Sequence, residues 1–103
     1  MTKFIYHITE LQTWQNEKND DAYSGDTLSS IGFIHCCKED QVEFVLENWF
    51  SGQNGLVILK IDTEKLSSRL VYENLEGGNE LFPHVYGQIN SDAIKSIKEL
   101  DKE

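Results

Sequence analysis

The chain carries three histidines, each inside an apolar or aromatic stretch. They are His7 in Phe4-Ile5-Tyr6-His7-Ile8, His35 in Gly32-Phe33-Ile34-His35-Cys36-Cys37, and His84 in Phe82-Pro83-His84-Val85-Tyr86-Gly87. Imidazole is the side chain best suited to proton transfer near neutral pH. Three of them facing one cleft would act as acid, base or ligand-orienting donors, so His7, His35 and His84 are the catalytic candidates. The plainer alternative for each is a core histidine held by a backbone carbonyl. On an extended strand His7 shares a face with Ile5 and Thr9, His35 with Phe33 and Cys37, and His84 with Phe82 and Tyr86. Thr9, Phe33 and Tyr86 are therefore ligand-binding candidates, the two aromatics as rings that would stack on a planar group. Tyr6 has the same potential. Glu73, on a strand with Tyr72, is a fourth ligand-binding candidate, as a carboxylate aimed into the site or, alternatively, on a solvated face.

Two other chemistries use the same residues. Three histidines, or two with Cys36 or Cys37, would supply tetrahedral zinc ligands, but the short ligand pairs typical of metal sites are missing, so no residue is assigned to a metal. Cys36 or Cys37 beside His35 suggests a thiol–imidazole pair. Neighbours on a strand point to opposite faces, however, which separates them. The adjacent cysteines cannot staple each other in the ordinary way, and they read as small core residues of a reducing compartment. Gly77-Gly78 lacks the lysine and following helix of a phosphate-cradling loop and reads as a flexible turn.

Composition narrows the partners. The chain has 103 residues, enough for one domain spanning residues 1–103. Its formal charge is −9, from 18 acidic and 9 basic residues, and Arg69 is its one arginine. Such a surface repels phosphate backbones and anionic lipid, so neither nucleic acid nor a membrane is expected as partner. A small-molecule ligand fits better. No apolar run approaches the roughly 20 residues of a membrane span, and no signal peptide is recognisable, so a cytoplasmic location is expected. Composition does not fix an oligomeric state.

The elements that must position the histidines follow from hydrophobic pattern. Phe4 to Ile8 is aromatic and β-branched, a first strand. Thr9-Glu10-Leu11-Gln12 has the form of a capping box, predicting a short helix with Leu11 and Trp14 inward and Asn19-Asp20-Asp21 as its end. The polar stretch to Thr27 reads as loop and Ile31 to Cys37 as a second strand or extended segment. Lys38-Glu39-Asp40 opens a helix whose Val42, Val45, Leu46, Trp49 and Phe50 make one wide apolar face. Ser51 to Gly55 stops it. Leu56 to Ile61 is nearly continuous aliphatic, as in a central strand covered on both faces. Asp62-Thr63 caps a turn through Leu66, and Arg69 to Glu73 is another strand. Leu75 to Glu80 reads as a flexible connector. Phe82 to Ile89 is extended, and Pro83, with no amide donor, points to an edge or a bulge. The last segment fits either one helix or a helical turn at Ser91–Ile94 followed by a strand at Lys95–Leu100. The mixed order of strands and helices favours α+β.

Ile5-Tyr6-His7-Ile8, Gly32-Phe33-Ile34-His35-Cys36, Leu56-Val57-Ile58-Leu59 with Ile61-Asp62, Glu73, and Phe82-Pro83-His84-Val85-Tyr86-Gly87 together resemble the uncharacterised bacterial family called domain of unknown function 952. The likeness covers nearly the whole chain, with Cys37 standing where serine is expected. That family's fold is similar to ADP-ribosyltransferases. The resemblance implies a compact split β-sheet with flanking helices and a cleft of the type that takes a nicotinamide dinucleotide (NAD), as ligand or substrate, between the sheet halves. His7 matches the first-strand histidine of such transferases, which orients a ribose hydroxyl. Gly32 to Cys36 resembles their Gly-led second strand. Their late-strand catalytic glutamate is replaced here by His84, with Glu80 only upstream. The RNA 2′-phosphotransferases of the superfamily also lack that glutamate but use several basic residues, unlike this acidic chain. The implied function is binding of a nucleotide or NAD-like ligand, with ribosyl transfer or hydrolysis. The alternatives are a non-catalytic ligand-binding or interaction module and, third, a zinc enzyme.

Overall fold

The aliphatic run in the middle of the chain becomes the central strand its composition predicts. In the computed structural model, which describes residues 3–25, 27–74 and 80–100, β4 (Leu56–Asp62) lies between β1 (Phe4–Glu10) and β8 (Ile94–Leu100), antiparallel to both. Successive side chains of a strand point to opposite faces. Val57, Leu59 and Ile61 therefore enter one core with Ile5, Tyr23, Ile34, Cys36, Val85 and Ile89. Leu56 enters a second, with Ile8, Cys37, Val45 and Phe82. Two smaller sheets complete an α+β architecture. One pairs β2 (Ala22–Tyr23) with β7 (Ile89–Asn90), and the other has the order β3 (Ile34–His35), β6 (Phe82–Tyr86), β5 (Arg69–Glu73). The helices are α1 (Leu11–Glu17), α2 (Leu28–Ile31) and α3 (Val42–Trp49), the last preceded by a 3-10 turn over Glu39–Gln41.

One proline divides the sheet. Residues 34 and 36 of the β3 segment turn their peptide groups toward β6, and residues 35 and 37 turn theirs toward β1. Cys36 N–H donates to the Pro83 carbonyl at 3.0 Å, but Pro83 has no N–H to return. The ladder to β6 stops there. One residue later Cys37 exchanges two backbone bonds with Tyr6 of β1, at 2.7 and 2.8 Å. The segment from Ile34 to Cys37 thus joins β6 at one end and β1 at the other, and the strands diverge between. Pro83 does this from the middle strand of its sheet, in regular register, and not from the predicted edge or bulge. The local rule fails because β3 is so short that the donor is lost where pairing ends anyway.

Other expectations need revision. Thr9 does not cap α1. It stays buried in β1, the cap position belongs to Glu10, and no side chain bonds there. Leu11 and Trp14 do pack on the core. The stretch read as loop contains β2, α2 follows directly after it and takes in Ile31, and the second strand is shorter than Ile31–Cys37. Gly32, at φ 90°, ends α2 with its N–H on the Leu28 carbonyl and delays β3 to Ile34. The C-terminal alternative resolves as a 3-10 turn at Ser91–Ala93 followed by β8. The connector expected at Leu75–Glu80, with Gly77-Gly78, lies outside the described residues except for Glu80.

Candidate functional site

His7 projects into the gap where β1 and β3 part. Its Nδ1 lies 2.6 Å from the His35 carbonyl oxygen. A carbonyl only accepts, so Nδ1 carries the proton and donates. The Nε2 of the ring lies 2.9 Å from the Tyr23 hydroxyl, which donates to it when the ring is neutral. The ring is 8 % exposed and meets the Tyr23 ring edge-on at 5.2 Å. The His35 carbonyl points at β1 but is met by this imidazole. His7 is thus a strut that holds the sheet apart, with both nitrogens engaged by the protein.

A cleft of about 410 Å³ opens in that gap. His7, Thr9, His35 and Cys37 contribute from the strands, Thr27 from before α2, Val45 and Trp49 from α3, and Phe50 and Gln53 from beyond it. Tyr6 and Glu10 complete the β1 side, and among the described residues the lining contains neither lysine nor arginine. Trp49, on the predicted apolar face of α3, is 40 % exposed. Its ring lies 6.0 Å from that of His35 and 5.8 Å from Phe82. The helix starts where it does because Gln41 is anchored. Its side-chain oxygen accepts from Lys38 N–H, and its amide nitrogen donates to Glu80 and to the Leu81 carbonyl.

The remaining candidates form a second cluster on one face of the β3-β6-β5 sheet. His35 lies directly opposite His84, and their rings stand perpendicular at 5.1 Å. Phe33 stacks on His84 at 4.4 Å and approaches Tyr86 at 5.2 Å. On β5, Glu73 shares this face, and its Oε2 lies 2.9 Å from His84 Nδ1. Tyr86 donates its hydroxyl to the same oxygen. These two bonds, Tyr86's first and His84's second, hold the Glu73 carboxyl below its ordinary value. The bond to Glu73 in turn raises the Tyr86 phenol. Glu73 is therefore ionised near neutral pH, and His84, 3 % exposed, donates through Nδ1. A neutral His84 then presents Nε2 as its acceptor.

His7, His35 and Thr9 thus share the cleft. His84, Glu73, Tyr86 and Phe33 share the adjoining face, and His35 belongs to both. Tyr23 was missed, because an aromatic in the polar run Asp20-Asp21-Ala22-Tyr23-Ser24 carries no signal for pairing with a histidine on β1. Trp49 was read as core alone. The cysteine thiols are poor nucleophiles here: burial pushes Cys37 up to about 12 and raises Cys36 as well. Among the described residues no three histidine, cysteine or acidic side chains converge as a metal site, and none of their helices is long and apolar enough to cross a membrane.

The class defined by these features is a small α+β domain with a histidine-bearing cleft in the break of its sheet. The family model described as "Protein of unknown function (DUF952)" matches residues 8–97, and the chain belongs to that family. It is similar to protein CC0527 from Caulobacter crescentus. The crystal structure of that protein is 30% identical with a TM-score of 0.84, covering 97% of this chain and 88% of that one. Its solution NMR structure is 29% identical with a TM-score of 0.82, covering 99% and 88%. No curated protein matches the sequence.

Proposed function

We propose that the domain has an ADP-ribosyltransferase-like fold and binds the ring-bearing end of a nucleotide or NAD-like small molecule in the cleft between β1 and β3. The observation that carries this reading is the cleft itself. Its volume of about 410 Å³ lies within the range of small-molecule sites, and it combines a few polar groups with the half-open face of Trp49. Among the described residues the lining carries Glu10 and neither lysine nor arginine, so a ligand's phosphates lie outside while a neutral or cationic ring enters. Trp49 stacks on that ring, His35 and Thr9 offer polar contacts, and His7 acts at one remove by fixing the His35 peptide and Tyr23. Titration with NAD tests the reading. We expect a rise in melting temperature and shifts of the His7 and His35 resonances. Affinity should fall about ten-fold in Trp49→Ala, since a lost stack removes ~1–3 kcal/mol. Saturating dinucleotide that moves neither observable overturns it.

A second reading, turnover at the ribosyl centre, is favoured by one observation. An ionised carboxylate orients His84, and the ring of His84 abuts that of His35 at the cleft. In this reading His84 exchanges protons and Glu73 stabilises its charged form. The third-ranked zinc reading finds no such support. Release of nicotinamide by the wild type, abolished in Glu73→Gln while binding persists, is the expected result. Equal rates in the two proteins exclude a role for the dyad, and no release by either leaves binding as the function.

A further inference from the structure

The strand β8 is the outer member of its sheet, and Lys95 through Glu99 are all solvent-exposed. Among the described residues no strand pairs with its free edge. Such an edge is a template for another strand unless it is blunted. The hydrogen-bonding sense of this edge follows from the register. Tyr6 turns both its peptide groups to Cys37, away from β4. Its neighbour His7 must then turn its own toward Leu59, the residue opposite it. Leu59 is thereby committed to β1, so it does not bond Ile97, its partner across the other side. The N–H and C=O of Ile97 therefore point outward from the free edge. Ile97 also exposes 45 % of its surface.

We propose that β8 is a self-complementary docking edge, pairing antiparallel with β8 of a second copy of this chain about a two-fold axis at Ile97. In this register Ile97 exchanges two backbone bonds with its own counterpart. Lys95 comes opposite Glu99 of the second copy, and Glu99 opposite its Lys95, so these two charged positions meet their opposites, while Lys98, the third charge of the segment, meets Ser96. An isologous interface requires this self-matching of one patch. The two β1-β4-β8 sheets then run on as one.

Sedimentation velocity over a concentration series on the full chain tests this, and wild type is expected to show a monomer–dimer equilibrium. Ile97→Pro removes only an outward N–H and leaves the β4 ladder intact, so it should be monomeric at every concentration with its circular dichroism unchanged. Lys95→Glu should weaken the dimer roughly ten-fold by replacing two attractions with two repulsions. Adding Glu99→Lys to that variant should restore it. The charge pair decides the matter if the proline variant fails to fold. A wild type monomeric throughout, or a dimer indifferent to both the proline and the charge exchange, overturns the proposal.

Discussion

The imidazoles of His7 and His84 are both nearly buried and both donate through Nδ1, yet they sit in opposite chemical settings. His7 lies between two neutral partners, a peptide carbonyl and a phenol. His84 lies against a carboxylate that a second phenol also holds. The first pair of partners fixes its ring in place from both nitrogens. The carboxylate accepts from the other ring and orients it toward the neighbouring strand. The protein thus uses one residue type as a strut in β1 and as the partner of a carboxylate in β6. The partner of Nδ1, more than burial, makes the difference.

Removing the strut should produce the largest effect. His7→Ala leaves the His35 carbonyl and the Tyr23 hydroxyl without this partner and opens a void beside the cleft. It should cost about 2–4 kcal/mol by urea denaturation. His7→Asn keeps a donor near the Nδ1 position and should recover part of that loss. An alanine variant as stable as wild type would refute the strut.

The charged cluster should show its difference as a pH dependence. Glu73 binds its proton more weakly folded than unfolded. Its contribution to stability is therefore complete above its ordinary value of 4.5 and disappears as the pH falls through the lowered folded value. Glu73→Gln should flatten that acid limb, Tyr86→Phe should shift the limb upward, and His7 variants should leave its shape alone. The phenol of Tyr86 has the opposite sign: its raised value means stability is lost as the pH climbs from 10. An acid limb unchanged in both cluster variants would remove the contrast between the two histidines.

The smallest effect concerns the thiols beside the strut. Cys36 and Cys37 should resist alkylation at pH 8 in the folded protein and react fully in denaturant. Fast labelling of Cys37 in the native state would mean that the cleft opens more deeply than described.

Much of the fold was legible in the sequence because its signals are long and periodic. The seven residues of β4 and the apolar face of α3 read correctly for that reason. The two-residue strands β2 and β7 span no period and left no pattern. The site was legible in its members and not in its pairings. His7, His35, His84 and Glu73 stood out by type and placement, but that Glu73 would reach His84 depends on the register between β5 and β6. That Tyr23 would reach His7 depends on packing across the core. No local window carries either fact.

The short segment from Ile34 to Cys37 owes its seat to residues far along the chain in both directions: Tyr6 and His7 upstream, Pro83 to Val85 downstream. It gains little until both are in position, so it behaves like a keystone laid last. We expect these contacts to form after the rate-limiting barrier of folding. Their loss should hasten unfolding and leave the refolding rate nearly untouched, and a chevron of Ile34→Val would show this. The domain's lifetime, as distinct from its speed of assembly, is then set at the same four residues where the sheet divides.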